Sequence, residues 1–255
     1  MEFAQTMQKS NRIAICLSGQ VRSWKKCYKS WNLIWENVQN PNVDFFIHTW
    51  DQNTHPAKFG NFKPPQQVEK EEIDEIIEIL KPKKIIFEQS RKFLIEGEDT
   101  YLNHSPYLSQ YYGVLRCSRL KKEYEIENNF LYDVVVRLRF DLLLEDPVLF
   151  GHDIKLKERT IYGIHYGYDS TKNSFRFGDM IFYSDSFTYD ILADYYYGVN
   201  FLPKEWFDSS VPPEFGWYYY FKSNNIDLES HSWGVKIVRQ GEDYMLSKES
   251  NYEIF

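Results

Sequence analysis

Three short apolar runs separated by two amphipathic stretches constrain this chain more than any other feature. The runs are RIAICL at residues 12–17, VDFFIHTW at 43–50 and KIIFEQ at 84–89. Between the first two, Ser23 to Val38 carries Trp24, Tyr28, Trp31 and Trp35 at helical spacing; between the second and third, Val68 to Leu80 puts Ile73, Ile76, Ile77 and Leu80 on one face and acids on the other. Pro82 stops that second helix. Strands joined through helices of this length pair in parallel through right-handed crossovers, which predicts an α/β fold with a mixed, mostly parallel sheet flanked by helices. Ligands of such sheets bind at the carboxyl ends of the strands.

The rest of the chain extends this pattern. A longer helix is predicted from about Tyr107 to Asn128, with Tyr107, Tyr111, Val114, Cys117, Leu120 and Tyr124 as an uncharged stripe. Beyond residue 147 the pattern loosens: strands at Thr160–Tyr166 and Asp179–Tyr183, helices near Phe187–Tyr197 and Pro213–Lys222, and a last strand at Val235–Arg239. The expected organisation is one domain over 1–255, with a ligand-binding half at about 11–147 and an acceptor-side half at about 148–255.

Residues 132–147, YDVVVRLRFDLLLEDP, hold three charges inside an apolar run. Read as a strand, the two-residue period points Val134, Val136, Leu138, Phe140 and Leu142 one way and Arg137, Arg139 and Asp141 the other, with steps of roughly 7 Å. Buried charges without partners are costly, so that face either opens on a cleft or holds ion pairs, Arg139 with Asp141 or Arg137 with Asp133. The functional reading is an anion site in which the arginines fork onto phosphate oxygens and Asp141 holds a divalent ion.

Composition narrows the function classes. The net charge of −7 and pI near 5.5 argue against a general nucleic-acid binder. Cys16, Cys27 and Cys117 form no CxxC pair, so neither a disulfide framework nor a thiolate zinc site is indicated, and a reducing compartment fits. MEFAQTMQKSNR lacks an apolar signal core and no run of about 18 apolar residues occurs, so a soluble, cytoplasmic protein without a membrane span is expected. Aromatic residues make up 18% of the chain, enough to stack sugars or bases as well as to fill a core.

The segments IAICLSGQVR (13–22), FFIHTWD (45–51), YLSQYYGVLRCSRLKKEYE (107–125) and YDVVVRLRFDLLL (132–144) together resemble glycosyltransferases encoded in bacterial capsule and surface-polysaccharide clusters and in large DNA viruses and phages. The resemblance covers roughly residues 11 to 145. It implies a GT-A fold, a nucleoside diphosphate sugar donor, a glycan hydroxyl as acceptor, and a D-x-D motif that holds Mg²⁺ or Mn²⁺. On that motif Asp141 takes the position of the second acid and Arg139 stands where the first would be, so either Asp141 recruits the metal or an arginine neutralises the diphosphate directly.

Further donor-binding candidates are Ser18, Gly19, Gln20 and Arg22, where the first strand meets its helix, His48 and Asp51 at the end of the second strand, and Gln110 near the start of the long helix. Tyr111 reads as core. The catalytic acid or base candidates are Asp179 in RFGDMIFYS and Glu214 in VPPEFGWYY; their alternatives are a turn residue and a first-turn acid favoured by the helix dipole. His165 and Arg176 are weaker cleft candidates, and Phe215, Trp217 and Tyr218 read as core packing or as an acceptor platform. The expected activity is transfer of a hexose or deoxyhexose. Alternatives are a non-catalytic carbohydrate- or nucleotide-binding module, and a phosphoryl or sulfuryl transferase, which would ordinarily carry a GxxxxGK[ST] loop that this sequence lacks.

Overall fold

Strand β1 (Asn11–Gly19) is buried along almost its whole length because it is sandwiched on both faces and paired on both edges. It pairs in parallel with β2 (Pro41–Trp50) on one side and β6 (Val134–Leu138) on the other. Parallel β5 (Lys84–Glu88) extends the sheet beyond β2. Beyond β6 lie antiparallel β9 (Ser174–Ser184) and β8 (Thr160–Asp169), then β10 (Asp227–Ser230) parallel to β8. This computed structural model describes residues 11–53, 65–91, 93, 105–148, 154–169, 174–199, 213–231, 233–239 and 242–245. The fold is mixed α/β, with a seven-stranded, mostly parallel central sheet flanked by helices.

The two-residue period of the strands sorts the core into two layers. Ile13, Ile15 and Leu17 join Phe45, Ile47, Val134, Val136 and Leu138 beneath α1 (Trp24–Cys27), a 3-10 helix (Tyr28–Ile34) and α2 (Lys70–Leu80). Ala14, Cys16, Phe46 and Val135 pack on the opposite side against α3 (Ser105–Asn128), α4 (Ser186–Ala193), α5 (Tyr195–Gly198) and α6 (Pro213–Ser223). Two smaller sheets complete the chain: β3 (Gln52–Asn53) with β4 (Gln66–Gln67), and β7 (Leu142–Leu144) with β11 (Val235–Arg239) and β12 (Glu242–Met245). No helix among the described residues is long and apolar enough to cross a membrane.

Four expectations change. The stretch Ser23–Val38 is not one α-helix: only Trp24–Cys27 is α-helical, and Tyr28–Ile34 winds as a 3-10 helix. Ser30 Oγ donates back to the Cys27 carbonyl at 2.7 Å and accepts the Leu144 N–H at 3.0 Å, while Trp31 Nε1 donates to the Leu142 carbonyl at 2.8 Å; these ties hold the segment to β7. The strand through RLRFD ends at Leu138, Phe140 and Asp141 turn, and the chain re-enters a different sheet as β7. Arg137, Arg139 and Asp141 therefore do not line one strand face. The uncharged stripe of α3 is flanked by buried charges, Lys121 and Glu125. Finally, β12 follows Val235–Arg239, so that strand is not the last.

Candidate functional site

Chain order reverses at β1: β2 and β5 build outward on one side, and the chain returns to place β6 on the other. β1 and β6 are parallel neighbours, so their carboxyl ends lie side by side, and the crevice outside such ends, where strand order reverses, is where open α/β sheets bind ligands. Here that crevice is bordered by Ser18–Arg22 and by Leu138–Asp141. Gly19 has φ +127°, a conformation that side-chain-bearing residues rarely adopt, and no atom lies within 4 Å of where its Cβ would be. The Gly19 carbonyl accepts the Thr49 hydroxyl at 2.8 Å, which fixes the turn.

Two arginines close on one carboxylate in this crevice. Arg139 donates from Nε to Asp141 Oδ1 at 2.8 Å and from Nη2 to Oδ2 at 2.9 Å, a two-nitrogen fork. Arg22 reaches Asp141 Oδ2 from Nη1 at 3.3 Å, is oriented by Gln20 Oε1 at 2.8 Å, and has its backbone N–H held by Asn53 Oδ1 at 3.2 Å. The Asp141 side chain is 3% exposed, against 15% for Arg22 and 19% for Arg139, so the carboxylate is the most buried of the three and the guanidiniums are the more accessible. Arg139 Nη1 also lies 3.7 Å from Asp179 Oδ2, and that oxygen accepts from Gln110 Nε2 at 2.6 Å. Residues from four separate segments thus form one cluster of alternating charge.

Arg137 lies beneath it, 1% exposed, pointing to the α3 side of β6. It donates from Nη1 to the Ser18 carbonyl at 3.2 Å and to the Leu138 carbonyl, bridging the ends of β1 and β6. Its Nε has no hydrogen-bond partner and no carboxylate lies within ion-pair distance of it among the described residues. Burial pulls its pKa below the usual arginine value. Ser18 Oγ and both ring nitrogens of His48 are likewise buried without hydrogen bonds. Gly113 on α3 sits against them, where a Cβ would come 3.3 Å from His48 Nδ1 and from Ser18 Cβ.

The remaining candidates fall elsewhere. His48 is wholly buried, edge-on to Trp50 at 4.6 Å and to Tyr112 at 5.5 Å; burial, reinforced by Arg116 and Arg91, lowers its pKa to about 3 and keeps the ring neutral. Asp51 Oδ1 accepts the Ser90 N–H at 2.7 Å and ties the end of β2 to the loop after β5. Trp217 is 1% exposed among Tyr111, Phe177, Phe182 and Tyr195, and so belongs to the core and not to an acceptor platform. Tyr111 is buried with it, and Tyr218 is partly exposed. Glu214 lies in the first turn of α6, but its side chain and those of Phe215, His165 and Arg176 are outside the described residues.

Sequence reasoning passed over Asn53, a buried residue of β3 that lies in a polar stretch of sequence and gives no signal of its own, and a buried network on α3. In that network Lys121 Nζ meets Glu125 at 2.9 Å, Asp190 at 3.1 Å and the Ser186 hydroxyl, joining α3 to α4. The i,i+4 pair of Lys121 and Glu125 was its available signal.

The residues around Asp141 do not suit a divalent cation. Both of its oxygens accept from guanidiniums, and an ion placed there would meet two positive charges. Among the described residues no three His, Cys, Asp or Glu side chains gather closely enough to hold a metal.

A family model described as a domain of unknown function (DUF7796) matches residues 8–179, a span that contains every member of the arginine and carboxylate cluster. No curated protein matches the sequence.

Proposed function

Because the chain belongs to the DUF7796 family, whose description assigns no activity, we propose from its own residues that it is a nucleotide-sugar-dependent glycosyltransferase with a GT-A-like fold. It transfers a hexose or deoxyhexose from a nucleoside diphosphate sugar to a glycan hydroxyl. The observation that carries this reading is the cluster of Arg22, Arg139, Asp141 and Asp179 in the crevice where the strand order reverses. A diphosphate is the ligand that two planar guanidinium forks and a glycine turn are suited to receive.

In the reaction the bond between the anomeric carbon and the β-phosphate oxygen breaks as the acceptor oxygen attacks. The nucleoside diphosphate leaves with its negative charge held by Arg22 and Arg139. Asp179, 19% exposed and oriented by Gln110, is the acid group at the rim of the cluster and takes the acceptor hydroxyl proton. The chemistry is inverting in this assignment.

The test is release of nucleoside diphosphate from UDP-, GDP-, CDP- and dTDP-sugars, with oligosaccharide acceptors. Asp179→Asn should retain donor binding and lose on the order of 10²- to 10⁴-fold in turnover. Unchanged turnover would remove Asp179 as the base. Donor binding without release by the wild-type protein would make this a binding module, and no donor binding at all would end the reading.

A further inference from the structure

The resemblance points to a divalent cation at Asp141, whereas the side chains around that carboxylate are cationic already. Arg22 and Arg139 approach it from the β1 and β6 ends, and Arg137 lies below the same gap. Among the described residues Arg137 has only the carbonyls of Ser18 and Leu138 as hydrogen-bond partners, with its Nε left over, at 1% exposure. A buried guanidinium that is hydrogen-bonded only to carbonyls among the described residues, with the Asp179 charge acting on it from a distance, is unfavourable in the folded protein, and an anion bound above it reduces that disadvantage. Arg139, meanwhile, is fixed by Asp141 in the two-nitrogen geometry that phosphate oxygens also accept. The Asp141 carboxylate holds the fork in shape while no stronger anion is bound.

Resting on the nucleotide-sugar reading above, we infer that this site binds the donor's diphosphate without a metal ion. Phosphate oxygens displace Asp141 from Arg139 and Arg22, and Arg137 contributes its charge from beneath. Arginine therefore occupies the first-acid position of the D-x-D motif because three guanidiniums do the work of the cation. Asp141 is a positioning residue under this inference: it touches the arginines and not the donor.

Isothermal titration of the full chain with UDP, GDP, CDP and dTDP, in EDTA and again with excess Mg²⁺ or Mn²⁺, tests it directly, with inorganic pyrophosphate in EDTA as a fifth probe. At least one nucleotide should bind in EDTA, with a Kd that changes less than threefold when metal is added. Arg139→Lys, which keeps the charge and loses the fork, should weaken binding at least tenfold; if it does not fold, Arg22→Lys, which likewise keeps the charge and loses the fork, serves the same purpose. Asp141→Asn, which removes the charged carboxylate that the phosphates must displace, should bind more tightly than the wild type. Binding that needs metal, or that disappears in Asp141→Asn, overturns the clamp, as does the absence of binding by every probe. Pyrophosphate binding in EDTA without turnover of any nucleotide sugar leaves the clamp standing and removes the transferase reading. Turnover that requires Mn²⁺ and is lost in Asp141→Asn does the reverse.

Discussion

Replacing Arg137 by Met should separate stability from binding. The side chain is fully enclosed, and Met fills a similar volume with a flexible apolar chain. The substitution removes two hydrogen bonds from a charged donor to the carbonyls of Ser18 and Leu138, worth about 1.5–3 kcal/mol each. It also removes the desolvation penalty of a buried ion, which is several kcal/mol and here has no carboxylate within ion-pair distance among the described residues to offset it. The two nearly cancel. Unfolding free energy should stay within about 1 kcal/mol of the wild type, and Tm within about 4 °C for a chain of this size. Anion binding behaves otherwise. A guanidinium about 6 Å from a phosphate oxygen contributes about 3 kcal/mol at an effective dielectric near 20, and even half of that is roughly tenfold in affinity. Thermal melts and calorimetric titration with nucleoside diphosphate should therefore give near-constant Tm and at least tenfold weaker binding. A loss of more than about 3 kcal/mol in stability with unchanged affinity would refute the reasoning and make Arg137 a structural tie between β1 and β6.

Two further outcomes follow from the buried charges elsewhere. Lys121→Met leaves the buried Glu125 without its cation, while Asp190 keeps Lys122 at 3.5 Å, so the loss should be about 3–5 kcal/mol, carried by Glu125. That corresponds to a fall in Tm of roughly 6–20 °C, and a fall under about 2 °C would show that the network contributes little. His48 stays neutral in the folded protein down to about pH 3, while the unfolded chain takes up the proton near 6.5, so stability is lost as pH falls through that window. At pH 5 the loss from this one group is about 2 kcal/mol, and His48→Phe should remove it from the difference between urea titrations at pH 7 and pH 5. An identical pH dependence in both proteins would exclude His48 as its source.

Much of the framework was legible from periodicity. The runs at 12–17, 43–50 and 84–89 are β1, β2 and β5, the acidic amphipathic stretch is α2, and the helix expected at Tyr107–Asn128 is α3 with two more residues at its start. These features are local, since a strand buried on both faces must be apolar throughout and a helix on a sheet must be apolar on one side. Local reasoning also singled out Ser18–Arg22, Gln110, Arg137–Asp141 and Asp179 one by one as candidates. It misjudged the geometry of RLRFD because strand periodicity assumes that the strand continues, and a bidentate Arg139–Asp141 bond closes a turn instead.

What the sequence determined by itself is the order of strands and helices and the places where charge interrupts them, because both depend on neighbours a few residues away. Tertiary structure decided which charges meet. Arg22 and Asp141 are 119 residues apart and Gln110 and Asp179 are 69 apart, so their pairing depends on β1 taking β6 as its second neighbour and on β9 following β6 across the sheet. It also decided that Lys121 is buried with its acids and that Arg137 has none within ion-pair distance among the described residues. The physical reason is that the cost of a charge depends on what surrounds it, and those surroundings exist only once both faces of the sheet are covered.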